Sequence, residues 1–180
     1  MPQFHSPSRC HFRRLTPADA DTYRALMLEA YERHPDAFTS SPAERARLPP
    51  SWWAERLAPG DDAPSVVVGA FDEGDQLVGA AGLDVESRIK ARHKAVLFGM
   101  YVAPVARTQG LGRQLVEAVL AEARARPGLR VVQLTVTQGN EGAEALYERC
   151  GFKIFGQEPM AIFVDGQFHA KVHMWCDLGG

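Results

Sequence analysis

Between Ala95 and Thr137 the apolar pattern switches from strand to helix and back to strand, which ties this stretch to a sheet with a crossover helix. Ala95–Val102 is an almost unbroken apolar run, closed by Pro104. From Leu111 the apolar residues fall at Leu111, Leu115, Val116, Val119, Leu120 and Ala123, one stripe of a helix. Arg113, Gln114, Glu117, Glu122 and Arg124 take the opposite face, and Pro127-Gly128 stops the element. Arg130–Thr137, rich in Val and Leu, is the next strand. Strands joined by a helix of this length are expected to lie parallel.

The flanks predict antiparallel neighbours. Cys10–Leu15 reads as a first strand. Thr16 or Asp19 then caps a helix with Tyr23, Leu26, Met27, Ala30 and Tyr31 on one face, ended by Pro35. A polar, Pro-rich stretch from Thr39 to Pro59 surrounds Trp52, Trp53 and Leu57, a second short helix. Ser65–Phe71 and Leu77–Val85 form a hairpin about Asp72-Glu73-Gly74-Asp75. Asn140 caps a short helix reaching Cys150, with Gly151 as a left-handed C-cap, and two last strands flank Asp165-Gly166. The predicted class is α/β: a mixed, mostly antiparallel central sheet with helices on both faces. The 180 residues suit a single domain over 1–180, with residues 1–8 expected to be a flexible N-terminus.

Net charge narrows the partners. At a formal −2, with basic residues spread out, the chain has no electrostatic case for nucleic acid or an acidic membrane, and a small soluble partner is expected. Cys10, Cys150 and Cys176 lie far apart, an odd count that fits a reducing compartment. With no apolar leader in residues 1–5 and no run of 18 apolar residues, the expected location is cytoplasmic.

The hexapeptide Arg107-Thr108-Gln109-Gly110-Leu111-Gly112 sits between the strand and the helix. Its glycines let backbone N–H groups turn inward, and the helix dipole adds partial positive charge, so an anion site results. Arg107 and Arg113 are expected to add full charges, and Gln109 further hydrogen bonds. A diphosphate is the natural guest. A dinucleotide fingerprint wants a third glycine where Leu115 stands, and a Walker loop wants Lys-Ser or Lys-Thr where Arg113-Gln114 stands.

At this point the chain resembles the GNAT superfamily of N-acetyltransferases, whose signature is Gln or Arg, two residues, Gly, one residue, then Gly or Ala. The resemblance continues through Leu134–Phe152, where Asn140, Leu146-Tyr147 and Gly151-Phe152 match the family's closing motif, and Arg14–Glu32 is similar to its first strand and helix. It implies acetyl-CoA as co-substrate, bound by Arg107, Thr108, Gln109, Gly110, Leu111, Gly112 and Arg113. It implies that the strand Val96–Val102 splays from its neighbour, with the N–H groups of Tyr101 and Val102 facing the thioester and one of them stabilising an oxyanion. Asn140 matches a position that contacts the cofactor arm or caps the last helix. Tyr147 matches the tyrosine that protonates the departing thiolate.

The resemblance leaves the general base unassigned, because Ala95–Val102 carries no carboxylate where many relatives place a Glu. Asp84, Glu86 and His93 are the nearest candidates. His169 and His173 have helical metal spacing in a strand-like segment, so no metal is expected. The function implied is acetyl transfer to a primary amine of a small molecule or peptide. An acyl-CoA-binding sensor without turnover, another acyl donor and a hydroxyl acceptor stay open, as does a homodimer.

Overall fold

The computed structural model describes residues 10–179, so the expectation for residues 1–8 lies outside the described residues. One seven-stranded sheet runs through them in the order β1-β2-β3-β4-β5-β7-β6. The strands are β1 (His11–Arg14), β2 (Ser65–Phe71), β3 (Leu77–Val85), β4 (Lys94–Val102), β5 (Val131–Thr137), β6 (Lys153–Val164) and β7 (Gln167–Asp177). The helices are α1 (Ala20–Arg33), α2 (Pro42–Ala46), α3 (Pro50–Glu55), α4 (Leu111–Arg124) and α5 (Glu141–Arg149). The class read from sequence holds: β4 and β5 are parallel, and every other pairing is antiparallel. The one short helix expected between Thr39 and Pro59 is two, because Ser41 and Pro49 each start their own.

The sheet divides the core. On one side the apolar stripe of α4 packs on Val68, Ala81, Leu83, Leu97 and Val132. On the other, α1 and α3 bring Tyr23, Leu26, Met27 and Trp53 onto Val67, Phe71, Ala80 and Tyr101. β2 and β3 are therefore buried on both faces, which explains their continuous rather than alternating apolar sequence. Small residues on β3 give room at one place: a Cβ on Gly82 would lie 2.1 Å from the Phe98 ring.

Local polar groups hold α1 at its start. Asp19 accepts from Arg13 Nη1 and Nη2 (2.8 and 2.9 Å) and from the Thr16 N–H (2.8 Å). The Arg13 guanidinium, followed by Thr16, holds the Asp19 carboxyl down to about 2. Its unfolded value is near 3.9, so its stabilisation is complete above about pH 4 and is lost as pH falls through about 2. The pair is at the surface, where screening leaves roughly 1 kcal/mol. Asp19→Asn is expected to lower Tm at pH 7 by about 2–4 °C and to melt with the unsubstituted protein at pH 2, as read by thermal unfolding.

Candidate active site

The site begins with a pairing that stops early. β4 and β5 are in register only from Lys94↔Val131 to Val96↔Gln133, whereas β5 stays paired with β7 as far as Thr137↔Lys171. Beyond Val96 the two parallel strands diverge into a V. Backbone groups on its inner edges have lost their ladder partners and need others.

A bulge sets which groups those are. Between Gly82↔Phe98 and Ala80↔Tyr101, β4 holds one residue more than β3, and Gly99 takes φ +58° there. The insertion reverses the alternation along β4. Lys94 faces β3, its carbonyl accepting from Glu86 N–H; past the bulge Ala103 faces β3, its N–H donating to Val78 O at 2.8 Å. Counting back from Ala103, Tyr101 also turns to β3 and Val102 turns to the gap. Of the two N–H groups expected to face the thioester, the register keeps Val102 in the cleft and takes Tyr101 out of it. The Tyr101 side chain still borders the cleft, with its hydroxyl donating to Glu29 Oε1 at 2.9 Å.

The glycine loop follows at the mouth of the V. A 3₁₀ turn (Pro104–Gln109) ends at Gly110, which adopts φ +67°, ψ 15° and starts α4. The first intrahelical bond runs from Gln114 N–H to Gly110 O, so the N–H groups of Leu111, Gly112 and Arg113 precede the ladder. A Cβ on Gly112 would approach Met100 Cε to 3.0 Å, so the loop lies close against the cleft. Two charges expected over the loop are engaged elsewhere. Arg107 donates from Nε to the Val102 carbonyl at 3.0 Å and its Nη2 lies 2.8 Å from the His34 ring, so it braces the strand end instead of crowning the helix. Arg113 pairs with Glu117 at 2.7 Å. The side chains of Thr108 and Gln109 lie outside the described residues.

Two cavities that share part of their lining lie along the V. The one on the loop side, about 180 Å³, is bordered by His34, Tyr101, Val102, Arg107 and Leu146. The deeper one, about 280 Å³, is bordered by Leu97–Met100 of β4 and Leu134–Thr137 of β5. Asn140, Ala143 and Tyr147 border both. Asn140 is also the N-cap of α5, its Oδ1 accepting from Ala143 N–H at 3.2 Å. Tyr147 is 8% exposed and packs edge-on to Phe152. Burial pushes its phenol well above the usual value, so it stays protonated across the physiological range.

None of the three base candidates borders either cavity. Asp84 is held by Ser65 and Arg56, and the half-buried Glu86 is held down to about 2 by Arg88. The His93 carbonyl accepts from Arg130 and Val131 at the foot of β5. The sequence reading also missed residues that the structure brings in. Arg45 of α2, Arg56 beyond α3 and Lys171 of β7 line the deeper cavity. Lys171 is 6% exposed, donates to Thr39 Oγ1 at 3.1 Å, and burial pulls its ammonium down. Its one signal in the sequence is a lysine beside Val172 in an apolar strand. Arg45 stands in a polar stretch that carries no signal. Among the described residues no group of three or more His, Cys, Asp or Glu is placed to hold a metal ion.

A parallel strand pair that splays beside a glycine-started helix is the frame seen in acetyltransferases of the GNAT family. It superimposes on a GNAT-family acetyltransferase from Streptococcus pneumoniae with a TM-score of 0.84 and 25% identity, over 95% of this chain and 100% of that one. The profile of the Acetyltransferase (GNAT) family matches residues 23–152, and the chain belongs to that family. Mycothiol acetyltransferase from Salinispora tropica is 33% identical over 136 residues, 75% of this chain and 41% of that protein. L-methionine sulfoximine/L-methionine sulfone acetyltransferase from Pseudomonas paraeruginosa is 32% identical over 109 residues, 61% of this chain and 59% of the relative. The chain spans 41% and 47% of the length of the Salinispora mycothiol acetyltransferases it matches.

Proposed function

We propose that this chain transfers acetyl from acetyl-CoA directly to a primary amine. The observation that carries the proposal is the closeness of loop and cleft: a Cβ on Gly112 would lie 3.0 Å from Met100 Cε and 3.4 Å from Leu146 Cδ2, both of which border the loop-side cavity, and Tyr147 borders both cavities. The residues fit coenzyme A. The N–H groups of Leu111, Gly112 and Arg113 suit its diphosphate, Gly112 leaves the helix start bare of side chain, and the cleft edge at Val102 suits an amide-bearing arm. Acetyl-CoA supplies an activated acetyl thioester.

The chain's own groups supply the rest. The Val102 N–H is the donor we assign to negative charge developing on the acyl oxygen. As the acceptor nitrogen bonds to the acyl carbon and the carbon–sulfur bond breaks, the Tyr147 hydroxyl gives its proton to the sulfur. The amine's proton leaves to water, and water returns a proton to the Tyr147 phenolate. Arg45, Arg56 and Lys171 assist by disfavouring a further cation in the cavity, which shifts an acceptor ammonium towards the free amine. This accounts for a cleft bordered by no carboxylate among the described residues.

Binding of acetyl-CoA at micromolar concentration, measured by calorimetry, together with amine-dependent thiol release is the expected result. Binding without any acceptor-dependent release supports the sensor reading instead, and release with alcohols alone a hydroxyl acceptor. Acetyl-CoA is expected to outpace propionyl- and succinyl-CoA. Relatives named as a mycothiol acetyltransferase and an L-methionine sulfoximine/L-methionine sulfone acetyltransferase support a small acceptor here.

We place the activity in the cytoplasm, where the free Cys10, Cys150 and Cys176 persist as thiols. No described helix is long and apolar enough to cross a membrane. We also propose a homodimer through the edge strand β6, which exposes Ile154, Phe155, Met160 and Phe163. Sedimentation is expected to show a dimer, and Phe155→Glu/Phe163→Glu a monomer; a monomeric parent protein removes this proposal.

A further inference from the structure

We propose that the acceptor carries a carboxylate beside its amine, held in the deeper cavity by Arg45 and Lys171, and is an α-amino acid or close analogue with an apolar side chain. The inference rests on the transferase reading above and asks what the cavity selects.

The cavity's charges are all of one sign: Arg45, Arg56 and Lys171 border it, and among the described residues no Asp or Glu does. Arg56 is already matched, donating from Nη2 to Asp84 Oδ2 at 3.1 Å with its guanidinium 4.0 Å from the Phe98 ring centre. Arg45 differs. It has no carboxylate within ion-pair distance among the described residues; it leans on Trp52 (4.8 Å to the ring centre), and its Nε is buried with no hydrogen-bond partner. A buried donor left unmatched costs about 1–3 kcal/mol, a cost that an acceptor on a ligand removes.

Lys171 gives the second observation. It is more than nine-tenths buried, and its ammonium has three donors, of which Thr39 Oγ1 takes one. Glu158, its cross-strand neighbour, is bonded to His173 and borders neither cavity. A buried cation without a paired anion costs several kcal/mol, and a ligand carboxylate removes that cost. The planar fork of Arg45 suits a carboxylate in geometry as well as in charge.

The remaining wall sets size and polarity. Trp52, Phe38 and Phe98 offer flat apolar surface, and about 280 Å³ is just below the usual range for drug-sized ligands. That volume fits one amino acid with its side chain against the rings. A polyamine brings only positive charge into a positive cavity and is disfavoured.

The test uses matched triplets: L-leucine, L-methionine and L-phenylalanine, each with its amide and its decarboxylated amine. With saturating acetyl-CoA, at least one acid is expected to show kcat/KM at least tenfold above its amide and amine. Arg45→Gln and Lys171→Met are each expected to raise KM for that acid at least tenfold while KM for acetyl-CoA changes less than twofold, with Arg45→Lys recovering part of the loss. Amides or amines used as well as the acids by the parent protein overturn the proposal, whatever the variants do. If no amine is turned over, the same triplets are titrated into the coenzyme A complex by calorimetry. Acids that bind at least tenfold tighter than their amides then keep the anion pocket and remove the transferase reading. No binding of any acid overturns the pocket itself.

Discussion

Gly110→Val is expected to weaken acetyl-CoA binding at least thirtyfold while the protein still folds. Gly110 adopts φ +67°, where an L-residue pays about 1–2 kcal/mol and a β-branched one more. A Cβ there meets nothing within 4 Å, so the strain is relieved by re-turning the backbone and not by repacking a neighbour. That rotation re-aims the N–H groups of Leu111, Gly112 and Arg113. Each charge-assisted bond lost to a diphosphate is worth about 1.5–3 kcal/mol, and losing two is consistent with the stated fall. Gly128→Val is the control. Gly128 has φ +80°, also has open space around a Cβ, and lies past the opposite end of α4. It is expected to lose comparable thermal stability with acetyl-CoA affinity unchanged in calorimetry. Equal affinity losses in the two variants, or none in either, remove the loop from the cofactor site.

Tyr147→Phe is expected to lower kcat by about a hundredfold with KM for acetyl-CoA within threefold. Removing a positioned general acid costs about 10²–10⁴-fold. The low end applies because a thiolate, whose acid has a pKa of about 8.5, is a fair leaving group unaided. The substitution keeps the ring that packs on Phe152, so stability changes little. Because burial raises the phenol's pKa, the activity of the parent protein is expected not to fall at alkaline pH from loss of this proton below about pH 10. Stopped-time thiol release between pH 6 and 10 reads both points. An unchanged kcat removes Tyr147 from the chemistry and leaves it a packing residue.

Local sequence carried much of this protein. The apolar stripe Leu111–Ala123, the Asn140 cap, the Gly110 turn and the hairpin at Asp72–Asp75 are short-range effects, in which neighbouring residues decide conformation by sterics, capping and burial periodicity. They were legible for that reason, and with them the parallel pair and the glycine turn at the start of α4. The direction of the Arg107 guanidinium was not, because its partners, Val102 O and His34, are fixed by how α1 and the end of β4 meet.

The cleft belongs to the tertiary structure alone. One extra residue at Gly99 reverses which β4 peptides face the gap, and pairing with β7 draws the far half of β5 away from β4. Arg45 and Lys171, 126 residues apart by their numbers, meet one cavity only when α2 and β7 close over it. The sequence by itself determined the elements, the crossover and the glycine turn that starts α4, since each rests on contacts within a few residues. The folded sheet decided which backbone groups stay unpaired and which cations line the cavity, since both depend on strands paired across long stretches of chain.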